Sequence, residues 1–237
     1  IRSGFGKADT GPDMEHLHAL DQHGKRLPVV SGTSWAGVFR HRALRIANTI
    51  ADEDEDSRDR AKDVVNRLFG WMPEDHENKV VDARSEDEAG QASKVTFDET
   101  VIKNGQLLYQ TRVRIDRFTG GAYEGGLFEQ APVYGKKDTT VELRLHVRDP
   151  QPHEMGLLLL VLKDLWTGDL PVGGEASVGR GRLRGIEATV TTPGDSFFRL
   201  VQGERMLGLT ADQQEALEHY VAALWSAITG AKEAGNE

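Results

Sequence analysis

From Met155 the chain runs through an apolar stretch, crosses a loop rich in glycine and arginine, and then alternates apolar with polar residues. That order restricts the possible folds more than any other feature. Residues 155–166 have the length and leucine content of a buried helix, and residues 183–190 alternate like a half-buried strand. A dinucleotide-binding fingerprint requires the reverse: a strand, then the glycine turn, then a helix, with an acidic residue about 20 positions on. The Rossmann unit is therefore excluded. The loop between, residues 170–183, holds Gly173, Gly174, Gly179 and Gly181 together with Arg180 and Arg182. Glycines at positive φ let backbone N–H groups converge on an anion, and the arginines add forked cationic donors, so the loop reads as a phosphate cradle.

The 237 residues suit one large or two small domains with a proper core. Cysteine is absent, which rules out disulfides and thiolate chemistry. The longest apolar run, residues 157–162, falls far short of a membrane span, and no signal peptide is evident. The chain reads as soluble and cytoplasmic. Its opening, Ile1-Arg2-Ser3-Gly4-Phe5-Gly6, resembles the middle of a strand-to-loop transition, as expected for one module of a longer polypeptide. The net charge of −9 argues against a nucleic-acid partner as a single number, but residues 52–99 hold sixteen acidic and seven basic side chains. Outside that segment and the tail, residues 1–51 hold seven basic and four acidic, and residues 100–200 thirteen and twelve. The remainder is neutral to mildly basic, with clustered arginines.

Residues 7–26 are polar and aperiodic and read as a long loop. A helix is expected from Trp35 to about Ile50, capped by Thr33 or Ser34, with Phe39, Ala43, Ile46 and Ile50 on its core face and Arg40, Arg42 and Arg45 elsewhere. The acidic block 52–56 reads as a solvated insertion or helix start, followed by a helix over residues 58–69 ending at Gly70 and a charged loop over 71–91. Strands are expected at 95–97, 101–102, 105–115 and 139–147, with a glycine-rich hairpin over 119–135. The tail opens a helix capped by Thr210, whose apolar positions Ala216, Leu217, Tyr220, Val221, Leu224 and Ile228 follow the helical period.

Four segments occur in a familiar order. Residues 27–40 (LPVVSGTSWAGVFR) resemble the lead-in to the first helix of the RAMP superfamily of CRISPR-associated proteins. Leu68-Phe69-Gly70, followed after an insertion by residues 93–98 (SKVTFD), looks like a second motif of that superfamily. Residues 114–122 (RIDRFTGGA) are similar to the start of the thumb hairpin in backbone subunits of type III effector complexes. The glycine loop is similar to the superfamily's C-terminal one. The third motif directs the resemblance to the repeating backbone subunit, the Cas-seven group. What it implies is an α+β fold with a ferredoxin-like, RRM-like core and antiparallel sheet, in a single domain over 1–237. An acidic insertion (52–91), a thumb (113–138) and the glycine loop (170–183) would decorate it.

The resemblance further implies polymerisation along a guide RNA, presentation to a complementary target RNA, and contact with other subunits of the same superfamily. Phosphate contacts would come from the glycine loop with Arg180 and Arg182, and from Ser34, Arg40 and Arg42 at the first helix. The thumb, with Arg117, Thr119 and Phe128 or Tyr123, would splay a base by stacking. Two departures stand out: Ala36 replaces a lysine common in relatives, and the acidic insertion would repel RNA if it lay on the groove.

Active relatives use an aspartate between first strand and first helix for metal-dependent attack of a 2′-hydroxyl on its own phosphate. Asp13 is the first candidate, with Glu15 and Asp9 behind it, and Mg²⁺ or another divalent ion as cofactor. His16 and His18 could assist proton transfer, against the commoner reading as surface histidines, and Asp21 reads as a turn residue. Two classes remain open, a target-cleaving ribonuclease subunit and a non-catalytic RNA scaffold, with a nucleotide-binding enzyme a distant third.

Overall fold

The computed structural model describes residues 3–4, 11–72, 90–192, 197–201 and 211–230. Asp9, the Thr210 cap and most of the expected charged loop at 71–91 lie outside the described residues. In chain order the strands are β1 (Ser3–Gly4), β2 (Met14–Glu15), β3 (His18–Leu20), β4 (Arg26–Val30), β5 (Val95–Phe97), β6 (Thr100–Val101), β7 (Gln106–Leu107), β8 (Gln110–Ile115), β9 (Ala122–Ala131), β10 (Val133–Tyr134), β11 (Leu145–Val147), β12 (Glu187–Thr191) and β13 (Phe197–Val201). The helices are α1 (Gly32–Ala51), α2 (Glu55–Phe69), α3 (Pro152–Thr167) and α4 (Ala211–Thr229), with a 3₁₀ turn at Ala176–Val178. The fold is mixed α+β, as expected, and its sheets are small and mostly antiparallel.

The chain forms two compact units, Ile1–Trp35 with Phe97–Leu145, and Ala36–Thr96 with His146–Glu237. In the first, β1-β2-β9-β8 make one sheet, in which β2 runs parallel to β9, and β3-β4-β6 make another. The expected loop over 7–26 is thus corrected within its described part: residues 14–15 and 18–20 are strands. At two and three residues they are too short to display an apolar alternation, and backbone pairing with β9 and β4 creates the order. Asp21 does make the turn, its Oδ1 accepting the amides of His23 at 2.8 Å and Lys25 at 2.9 Å. Trp35 is fully buried, and its indole N–H donates to Thr100 Oγ1 at 3.1 Å.

The second unit is mostly helical. Phe39, Ala43 and Ala47 of α1 are fully buried and Ala51 nearly so, whereas Ile46 and Ile50 are only half-buried. Phe39 and Ala43 are thus as expected and the other two positions miss by one residue, because four-residue spacing from Ala43 leads to small alanines, which weigh little in a hydrophobic pattern. Helix α1 is also capped two to three residues earlier than expected: Ser31 Oγ accepts the Ser34 amide at 3.2 Å. The acidic block proves to be a helix start, with Asp54 capping Ser57 N at 2.8 Å.

Helix α3 buries Leu157, Leu158, Val161 and Leu165. Its Glu154, 1 % exposed, accepts the Gln151 amide at 2.8 Å and takes Lys94 Nζ at 2.7 and 3.0 Å. Gly156 lets α4 approach, since a Cβ there would run into the Tyr220 backbone. Leu224 and Ile228 of α4 are fully buried, in line with the expected face. Strand β12 begins at Glu187, later than expected, and pairs with β13 from Glu187↔Val201 to Thr191↔Phe197.

Candidate nucleic-acid interface

In the first unit, β8 and β9 form a long antiparallel hairpin in register from Gln110↔Gln130 to Val113↔Leu127. The pairing then slips to Ile115↔Ala122, so Tyr123–Gly126 bulge opposite Arg114. The tip is closed by Asp116, whose Oδ1 accepts the amides of Phe118 at 2.7 Å and Thr119 at 3.4 Å. Gly120 N donates to Asp116 O at 2.9 Å, and Thr119 Oγ1 accepts from Gly121 N at 3.3 Å. The turn thereby commits Asp116 and Thr119 to backbone amides and leaves Arg117 exposed beside Phe118, which is 100 % exposed. Tyr123 is 56 % and Leu127 68 % exposed, whereas Phe128, the aromatic first considered for stacking, is half-buried opposite Arg112. Sequence reasoning passed over Phe118. Its signal was an aromatic set between a turn-forming aspartate and a Gly-Gly pair.

The start of α1 gathers hydroxyls: Ser31 Oγ lies 3.0 Å from Thr33 Oγ1 and 2.9 Å from Ser34 Oγ. Within the second unit, Arg40 bonds the Gly70 carbonyl and, at 2.9 Å, Asn66 Oδ1. Arg42 Nε donates to Asp164 Oδ2 at 2.6 Å, an ion pair joining α1 to α3. Arg45 is exposed. The two arginines proposed from sequence for phosphate thus hold helices together, and Arg45 projects into solvent.

The glycine loop is drawn closed on itself. Val172 N donates to Gly181 O at 2.9 Å, and Gly181 has φ 74°; a Cβ there would collide with the Val172 backbone, so only glycine suits. Gly173 and Gly179 also have positive φ, at 99° and 83°, and Gly174 does not. Arg182 Nη1 donates to the Gly168 carbonyl at 2.8 Å, where Gly168 ends α3 at φ 83°. Arg180 Nη1 is paired with Glu175 Oε2. Glu175 is a loop residue that sequence reasoning left unassigned; an acid five positions before an arginine across a 3₁₀ turn was the available clue.

In the acidic segment Asp13 and Glu15 are engaged by different partners. Asp13 Oδ2 accepts the Glu129 amide at 2.8 Å, pinning the segment to β9. Glu15 Oε1 lies 3.1 Å from Arg26 Nη2 and 3.7 Å from His18 Nδ1. His16 is buried: its amide donates to Ala131 O at 3.2 Å and its Nε2 to Val29 O at 3.0 Å, and burial lowers its pKa to about 4. The surface reading of His16 is therefore corrected. Among the described residues no three His, Asp or Glu side chains gather to hold a metal ion.

An exposed aromatic hairpin and an arginine-bearing glycine loop are thus carried on an α+β scaffold. The chain belongs to the RAMP superfamily, whose family model matches residues 2–184, and is thereby a CRISPR-associated RNA-binding protein. No curated protein matches it. Among the described residues no helix is long and apolar enough to cross a membrane.

Proposed function

We propose that the chain is a guide-RNA-binding backbone subunit of a type III effector complex, built on a ferredoxin-like core. The observation that carries this reading is the β8–β9 hairpin. Its tip holds Phe118 fully exposed next to Arg117, and its flank presents Tyr123 and Leu127. Phe118, Tyr123 and Leu127 are exposed on one hairpin, and a splayed nucleic acid supplies bases to stack on the aromatic rings. Stacking is indifferent to sequence, as a subunit that holds any guide requires. Complementary target RNA and neighbouring subunits of the superfamily are the remaining partners.

Target cleavage by the segment around Asp13 and Glu15 is the finer part of the proposal. A non-catalytic scaffold is favoured by the engagement of Asp13 with Glu129 N and of Glu15 with Arg26. Incubating the assembled complex with complementary RNA and Mg²⁺ separates the two. Loss of cleavage in Asp13→Ala or Glu15→Ala, with RNA binding retained, identifies the nuclease. A wild-type complex that binds target and leaves it intact is the scaffold.

A further inference from the structure

In the glycine loop, Glu175 places Oε2 against Arg180 Nη1, and the side chains are 18 % and 29 % exposed, respectively. A carboxylate and a phosphate offer a guanidinium the same pair of acceptor oxygens, so Glu175 occupies the position on Arg180 that an RNA phosphate would take. Its backbone is left-handed, with φ 62° and ψ 32°. That conformation is costly for any residue with a Cβ, and glutamate has no special aptitude for it. Its carbonyl accepts from Val178 N at 3.1 Å and Arg180 N at 3.4 Å, a role that glycine would fill with less strain. What glycine would not supply is the carboxylate.

Resting on the RNA-binding reading above, we propose that Glu175 is an intramolecular competitor for the phosphate site on Arg180, and that RNA engages the loop by displacing it. A lone phosphate or free nucleotide must break the Arg180–Glu175 pair for a single contact. A strand held simultaneously at other points loses little to the exchange, because Glu175 then competes with a tethered phosphate at high effective concentration. Glu175 in this way makes the loop selective for polymer over monomer.

The test is fluorescence anisotropy with a labelled single-stranded RNA oligonucleotide and the full chain, with fold verified by circular dichroism. Glu175→Gln keeps the size and removes the charge; it should tighten binding about two- to fivefold, the range expected when a partly exposed ion pair no longer competes. Arg180→Ala should weaken binding, and Glu175→Gln combined with Arg180→Ala should bind like Arg180→Ala alone. Glu175→Gly, suited to the left-handed backbone, should reproduce the gain. Inorganic phosphate should compete more effectively against RNA in Glu175→Gln than in wild type. If Arg180→Ala weakens binding and Glu175→Gln weakens it too, Glu175 positions Arg180 and the proposal is overturned while RNA binding by the loop stands. A gain that survives in the double variant is a general charge effect and also overturns it. If Arg180→Ala leaves affinity unchanged, RNA binding by the loop itself is wrong.

Discussion

The hairpin of the first unit and the glycine loop of the second both place arginine near glycine, yet they hold it in opposite states. At the hairpin tip Asp116 turns its carboxylate onto backbone amides, so Arg117 and Phe118 face solvent. In the loop Glu175 turns its carboxylate onto Arg180, and Arg182 is drawn to the end of α3. An acid beside an arginine therefore exposes the cation in one region and occupies it in the other. The nearest backbone amides decide which: a tight turn offers Asp116 two donors within reach, and the longer Glu175 side chain reaches past its own turn. The hairpin's arginine is exposed, whereas the loop's Arg180 is occupied by a carboxylate.

The largest expected effect breaks the loop without touching the hairpin. Gly181→Ala should cost at least about 3 kcal/mol in urea unfolding, because the left-handed backbone and the collision with Val172 act together. A loss below about 1 kcal/mol would mean that the loop is not closed in this way. Next, acid should act on the base of the hairpin. His16 has a folded pKa near 4, below its ordinary 6.5, so the unfolded chain binds more protons between those values. Its contribution to stability is complete above about pH 6.5 and is lost as pH falls toward 4, a loss on the order of 2–3 kcal/mol. Unfolding from pH 7.5 to 4 in wild type and His16→Asn checks this; parallel curves would remove His16 as the cause.

Binding effects are smaller. Phe118→Ala should lower affinity for single-stranded RNA by about tenfold, within the range of one lost base stack, while leaving the melting temperature in place. Unchanged affinity would take the hairpin out of the interface. Arg117→Ala should weaken binding about two- to threefold, uniformly across RNA sequences, and flatten the salt dependence by about 0.7 in log–log slope. A sequence-dependent loss would instead make Arg117 a base reader.

Helix α3 was legible from its length and leucine content, α4 from an apolar face at the helical period, and the end of α2 from Gly70, whose φ of 79° suits glycine. Strands β2 and β3 were illegible because Met14-Glu15 and His18–Leu20 are too short to carry an alternation; β2 takes its order from β9, far along the chain, and β3 from a hairpin with β4. The site divides in the same way. The arginine and glycine positions can be read from the chain, but Arg40 and Arg42 look alike as cations until Gly70, Asn66 and Asp164 are brought to them across long sequence separations.

By itself, then, the sequence determined the α+β class, the order of helix, glycine loop and strand, and membership of an RNA-binding superfamily. These depend on local periodicity and on motifs read within short windows. Only the tertiary structure decided that Phe118 rather than Phe128 stands clear, that His16 is buried, and that Arg42 and Arg180 already hold carboxylates. Exposure and pairing depend on which distant atoms fill the space around a side chain, and that is a property of the packed chain.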